Sequence, residues 1–199
     1  MPAAVVYDLE FTAWEGSMRH RWLRPGEFKE VVQIGAVKVD PLSLAVRDTF
    51  SVFVRPRINP GLSPYLERLT GITTQILRDK GRDFASAYEA FLEFADGGVC
   101  AAFGRDELVF EENRRLYGMD APVRGPEFRD LRPWFQANGI ETCGLHSCEI
   151  GPKLGVPLEG QAHNALADSL SVAAGMRVLI ARGARSLFAD GVVTAKTAA

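Results

Sequence analysis

Val5-Val6-Tyr7-Asp8-Leu9-Glu10-Phe11-Thr12 is an apolar, largely β-branched run that ends in two carboxylates one residue apart. Such a run reads as a buried strand. Residues i and i+2 of a strand face the same side, so Asp8 and Glu10 project together. Two adjacent carboxylates repel, and desolvation makes the repulsion worse. A hard divalent cation between them relieves it, and Mg²⁺ selects oxygen ligands of this kind. The alternative is a strand end whose acids meet water or cap the next loop.

The 199 residues fit one domain, or one domain with a tail. Apolar residues make up 47% and charged residues 24%, which is ordinary for a globular chain with a sizeable core. The net charge of −2 argues against a bulk electrostatic grip on nucleic acid, so any phosphate binding has to be local. Cys100, Cys143 and Cys148 are sparse and odd in number, which points to reduced thiols rather than a disulfide framework. No signal peptide and no membrane span are read in the sequence, and the expected setting is cytoplasmic.

Outward from the first strand, 13–29 reads as a long loop carrying Trp14, Arg19, Arg21, Trp22 and Arg24. It is either a solvated loop with tucked tryptophans or a nucleic-acid contact through charge and stacking. Segments 30–39 and 45–55 alternate as strands around a turn at 40–43, which favours an antiparallel three-stranded unit with the first strand. Short helices follow near 62–68 and through 77–80, the second with Thr73 or Thr74 as a cap, and an amphipathic helix at 83–95 starts at Asp83. A buried strand at 99–103 leads into Gly104-Arg105-Asp106 and a helix at 108–117. A short strand at 128–131 precedes a helix at 132–136, and 145–154 is weakly helical despite Gly151-Pro152. The strongest helical pattern, 163–180, holds both His163 and Asp168. Domain limits are set at 1–185, with a short tail at 186–199.

Four acids thus stand at element ends: Asp8, Glu10, Asp106 and Asp168. Taken alone, Asp106 reads as a helix cap. His163 lies five residues before Asp168, which is not one helical face, yet both reach a site over the start of the helix. A histidine there can serve as a general base.

With these residues in place, the chain resembles the DEDDh (DnaQ-like) 3′→5′ exonuclease superfamily. Asp8-Leu9-Glu10-Phe11-Thr12 is similar to its D-x-E-x-T motif, Gly104-Arg105-Asp106 to the second motif, and His163 through Asp168 to H-x4-D. The stretch 30–37 and Leu69-Thr70-Gly71-Ile72-Thr73 resemble two auxiliary segments, and Trp14-Glu15-Gly16 is most similar to the ERI-1/KapD-like branch. The resemblance covers 4–182. It implies an α/β, RNase H-like fold: a five-stranded mixed sheet flanked by helices. It implies two Mg²⁺ or Mn²⁺ ions, with Asp8 bridging both, Glu10 and Asp168 completing one, and Asp106 serving the other. His163 is then the general base, and Phe11, Thr12 and Leu69 stand where relatives hold the terminal nucleotide, with core packing the alternative for Phe11 and Leu69. The expected reaction is hydrolysis of single-stranded RNA or DNA from the 3′ end, releasing 5′-mononucleotides. Gln161-Ala162 stands where many relatives are basic, and Ala167-Asp168 where many carry two acids. These departures bear on substrate preference.

Cys143, His146 and Cys148 are too cramped for a zinc site and lack a fourth ligand, so buried thiols and a surface histidine are expected. Asp130 is expected to cap the helix that begins at Arg132. Two other functions fit the same fold: a catalytically silent nucleic-acid-binding scaffold, and a proofreading subunit on a polymerase. A homodimer is left open.

Overall fold

A computed structural model describes residues 3–122 and 125–189. Strand β1 (Ala4–Phe11) is central in a five-stranded sheet of order β3-β2-β1-β4-β5. Strands β2 (Val31–Val39) and β3 (Val46–Phe53) are antiparallel to their neighbours. Strands β4 (Val99–Ala102) and β5 (Glu127–Asp130) are parallel to theirs. This is the expected mixed sheet. The β2–β3 turn is closed by Asp40, whose Oδ1 accepts from the N–H groups of Leu42 and Ser43.

Helices cover both faces. Val5, Tyr7 and Leu9 face Phe84 and Phe91 of α4 (Phe84–Ala95) and Phe110 of α5 (Glu107–Leu116). Ala4 and Val6 face Phe135 of α6 (Arg132–Ala137), Ile150 of α7 (Ser147–Lys153) and Met176 of α8 (Ala165–Ala181). The period of two carries this second series on to Asp8 and Glu10, which turns both acids toward α7 and α8.

Two close approaches seat α8 and α7. A Cβ on Gly35 of β2 would lie 2.1 Å from the Leu166 nitrogen and 2.2 Å from the Ala165 carbonyl carbon, so only glycine lets α8 lie on the sheet there. A Cβ on Gly175 would lie 2.5 Å from Ile150 Cγ2, which brings α7 hard against α8. Pro152 inside α7 has no N–H to offer the Cys148 carbonyl. The Ser171 hydroxyl of α8 donates to that carbonyl at 3.0 Å and accepts from the Gly151 N–H at 3.0 Å. The weak helix at 145–154 thereby forms by being tied to α8.

The short helices α2 (Pro64–Thr70) and α3 (Thr74–Lys80) are capped by Ser63 and Thr73, so Thr73 is the cap of the two expected. Asp83 caps α4 as expected. Four local expectations change. The 13–29 stretch contains a one-turn helix, α1 (Ser17–His20). His163 is not in α8: Asn164 takes the cap, its side chain accepting from the Ala167 N–H, and His163 precedes it. Cys143 is exposed rather than buried. Packing continues past 185, because Phe188 is buried and Trp134 Nε1 and Arg129 Nη1 donate to the carbonyls of Arg185 and Leu187. The rest of the expected tail, 190–199, lies outside the described residues. Among the described residues no helix is long and apolar enough to cross a membrane.

Candidate active site

The C-terminal half of β1 supplies Asp8 and Glu10, with residue exposures of 9% and 8%, and the first turn of α8 supplies Asp168 at 3%. Asp168 sits where the helix dipole favours an anion. Gly104, at φ 150°, turns β4 into α5 and delivers Asp106 to the α5 start. The Asp106 side chain does not cap α5; it accepts a backbone hydrogen bond from Leu9, between Asp8 and Glu10. The cap reading of Asp106 therefore gives way to one that aims it at β1.

Burial drives all four carboxyls upward. Asp8 is pushed up to about 8 by desolvation and then by the charge of Asp168, opposed by a hydrogen bond from Ser147. Asp168 is pushed up to about 7 by burial, against backbone hydrogen bonds from His163 and Asn164. Glu10 is raised well above the carboxylate range by burial, then by Asp8, Asp168 and Asp106. Asp106 is raised likewise by burial and then by Asp8. Asp8 acts on Glu10 and Asp106, and Asp168 on Asp8 and Glu10, so the four carboxyls form one electrostatic group.

The residues present fit a divalent cation. Ligand atoms of Glu10, His163 and Asp168 lie within 4.8 Å of one another. Asp168 Oδ1 is buried and, among the described residues, has no hydrogen-bond partner. A buried, unpartnered carboxylate oxygen facing other acids is costly, and a hard cation satisfies it. His163 is held at φ 59°, a strained conformation for a side-chain-bearing residue. Its ring meets that of His146 edge-on, with centroids 5.3 Å apart. Desolvation lowers its pKa and the His146 charge adds to this, with Glu149 acting the other way.

Of the residues expected to hold a nucleotide, Thr12 has its polar atoms hydrogen-bonded within the chain. Its N–H donates to the Glu30 carbonyl, its hydroxyl to the Phe28 carbonyl, and its carbonyl accepts from Trp22 Nε1. It is a strut for the 13–29 loop. Phe11 packs on Trp22 with ring centroids 5.6 Å apart. Leu69 is half-buried two residues before Gly71, whose Cα backs onto the Gln161 side chain near His163.

Two contributors were not seen in the sequence. Ser147 donates to Asp8 Oδ1 at 2.7 Å. Arg132, held in a fork on Asp130, lends positive charge to Asp106. Asp130 also accepts from the Arg132 N–H at the start of α6, although Leu131 rather than Asp130 occupies the cap position.

A central strand ending in paired acids, joined by acids at the starts of two helices on opposite faces, defines a nuclease domain of the DEDDh class. The family model described as Exonuclease (RNase_T) matches residues 5–175, and the chain belongs to that family. Divalent metal ions are implied by that membership. The chain is 38% identical over 69 residues to the 3′-5′ exoribonuclease 1 of Rattus norvegicus, and equally to that of Homo sapiens. That stretch is 34% of this chain but 18% of those relatives, so the match spans about a fifth of their length. Among solved structures, the nuclease domain of 3′hExo bound to rAMP aligns with TM-score 0.77 at 21% identity, covering 93% of this chain and 94% of that one. Cell-death related nuclease 4 aligns with TM-score 0.76 at 20% identity, covering 94% and 66%. These likenesses carry the RNase H-like fold.

Proposed function

We propose that the chain is a metal-dependent 3′→5′ exonuclease that releases 5′-mononucleotides from single-stranded RNA or DNA ends. The observation that carries this reading is the buried, unpartnered Asp168 Oδ1 beside Glu10 and His163. Family membership supports it, and the exoribonuclease relatives make RNA the first substrate to test.

In this reading Asp8, Glu10, Asp106 and Asp168 would hold two Mg²⁺ or Mn²⁺ ions. Bound ions supply Lewis-acid stabilisation at the phosphoryl group and acidify the attacking water. His163, half-buried at the rim, would accept the proton of the attacking water at a ring nitrogen. Its depressed pKa keeps it neutral, and so able to accept, at neutral pH. Ser147 orients Asp8, and Arg132 steadies Asp106. The presence of all four acids and His163 supports an enzyme over a silent scaffold. Co-purification with a polymerase would mark a proofreading subunit instead. The free Cys100, Cys143 and Cys148 are compatible with a cytoplasmic setting.

The test is hydrolysis of 5′-labelled RNA and DNA oligonucleotides with Mg²⁺ and with Mn²⁺. A ladder shortened from the 3′ end and abolished by EDTA is expected. Undiminished hydrolysis in excess chelator, or an inert protein in both metals, overturns the reading.

A further inference from the structure

The 13–29 loop carries four cationic residues to two acids in a chain of net charge −2. It is stiffly braced from within. Ser17 is buried and accepts from the Trp14 N–H at 2.8 Å, while its own hydroxyl reaches Glu27. Glu27 also pairs with His20 at 2.8 Å, so one of the two acids is turned inward. Trp22 Nε1 donates to the Thr12 carbonyl at 2.8 Å, and its ring lies under Lys29 Nζ, 4.7 Å from the centroid. Arg21 and Trp22 both have positive φ, 54° and 56°. Two consecutive strained residues persist only where their surroundings hold them, and such strain points to a use. Here it folds Trp22 onto Phe11 and leaves Arg21 and Leu23 outside.

The outer surface is unusual for this molecule. Met18 and Leu23 are 72% and 81% exposed, more than any other large hydrophobic residue described. Arg19, Arg21 and Arg24 are exposed and, among the described residues, make no ion pair. Arg47, Arg105, Arg129 and Arg132 pair with an acid, while the three loop arginines lie within six residues of one another and beside Met18 and Leu23. The loop is anchored at Thr12, two residues beyond Glu10. At about 3.3 Å per strand residue that is about 7 Å, the length of roughly two stacked nucleotides.

We propose that this loop docks the nucleic-acid strand behind the scissile nucleotide, with Arg19, Arg21 and Arg24 meeting phosphates and Met18 and Leu23 lying against bases. The proposal rests on the exonuclease reading. Unpaired guanidiniums on a rigid frame are complementary to a polyanion that must leave an acidic site. Exposed apolar side chains beside them suit unstacked bases, which present apolar faces of any sequence.

The test compares wild type with the triple variant Arg19→Ala, Arg21→Ala, Arg24→Ala. Binding of a fluorescent phosphorothioate single strand about twelve nucleotides long is read by anisotropy across salt, in Mn²⁺. This arm needs no hydrolysis, so it stands if the nuclease reading fails. The variant should bind about tenfold more weakly, and its log Kd–log salt slope should shrink by about 2, near 0.7 per lost phosphate contact. In the hydrolysis arm, the variant's deficit in kcat/KM should grow with strand length. Wild-type affinity and slope overturn the proposal. So does a result in which Met18→Ser with Leu23→Ser changes the oligomeric state while the arginine variant binds normally, because the loop is then a protein contact. Circular dichroism confirms that each variant is folded.

Discussion

Ser147 and Asp8 are 139 residues apart in the chain, and the Ser147 hydroxyl donates to Asp8 Oδ1 at 2.7 Å. The bond depends on α7 being in place, and α7 is in place because Ser171 satisfies the carbonyl that Pro152 leaves open. Groups that orient a metal ligand typically contribute 10–100-fold in metal affinity or activity. Ser147→Ala should therefore weaken Mn²⁺ binding by about that factor with an unchanged fold, and Ser147→Thr should recover most of it. Titration calorimetry reads both. Wild-type affinity in Ser147→Ala would remove Ser147 from the support of the site.

The metal-free protein should lose stability as pH rises. Asp8 is pushed up to about 8 and Asp168 to about 7, both above the ordinary carboxylate value. A carboxyl raised in the folded state binds its proton more tightly there than when unfolded. Its contribution is whole below about pH 4 and is lost as pH climbs through 7 and 8. Melting curves in chelator should fall from about pH 5 to about pH 9, and Mg²⁺ or Mn²⁺ should reverse the fall. Asp8→Asn should abolish hydrolysis yet raise the Tm in chelator near pH 8 by about 5 °C or more. A flat melting profile would contradict the burial argument for these acids.

Gly35→Ala should disrupt the protein although glycine to alanine adds one carbon. That carbon would sit 2.1 Å from the backbone of α8, which cannot yield as a flexible side chain can. The first turn of α8 would have to lift, breaking the Ser169 hydroxyl's bond to the Gly35 carbonyl at 3.0 Å and moving Asp168. A loss of about 2 kcal/mol or more is expected, with activity falling too. Denaturant unfolding checks it, and a variant as stable as wild type would mean the helix is free to shift.

Local chemistry made much of this legible. The apolar run and the i, i+2 acids placed β1 and the direction of Asp8 and Glu10, because strand periodicity allows one outcome. The caps at Thr73 and Asp83 follow from side chains that accept their own helix's N–H groups. His163 was misplaced into α8 because its neighbours are helix formers, whereas Asn164 competes better for the cap and ends the helix first. Thr12 looked free for a ligand because its partners at Trp22, Phe28 and Glu30 lie across a loop. Ser147 left no signal at all: a serine opening a helix reads as a cap, and its bond to Asp8 exists only after α7, α8 and β1 have packed. Phe188 fell in the short tail at 186–199, yet its one buried aromatic side chain suffices to dock that segment.

The last expectation concerns His163. It stands outside α8 in a strained backbone, its ring 5.3 Å from that of His146. If it takes the proton from water, His163→Ala should cost about 10²–10⁴-fold in kcat with the ions still bound. His163→Asn should do no better, because an amide does not accept the proton. The sign of the pH profile follows from the surroundings. Burial lowers the His163 pKa below its ordinary 6.5, and the His146 charge lowers it further, so activity should reach its plateau at a lower pH than an exposed histidine allows. His146→Phe removes a like charge and should move the activity midpoint up. Glu149→Gln removes the one neighbour that raises the pKa and should move it down. Opposite shifts place the titrating group beside His146 and Glu149, and loss of that limb in His163→Ala with the ion still bound assigns it to His163 rather than to ionising water. Ligand atoms of His163, Glu10 and Asp168 fall within 4.8 Å of one another, so metal occupancy is measured alongside. If His163→Ala loses the ion as well as the rate, His163 is a ligand. If neither midpoint moves, His163 is not the base and the carboxylates carry the reaction.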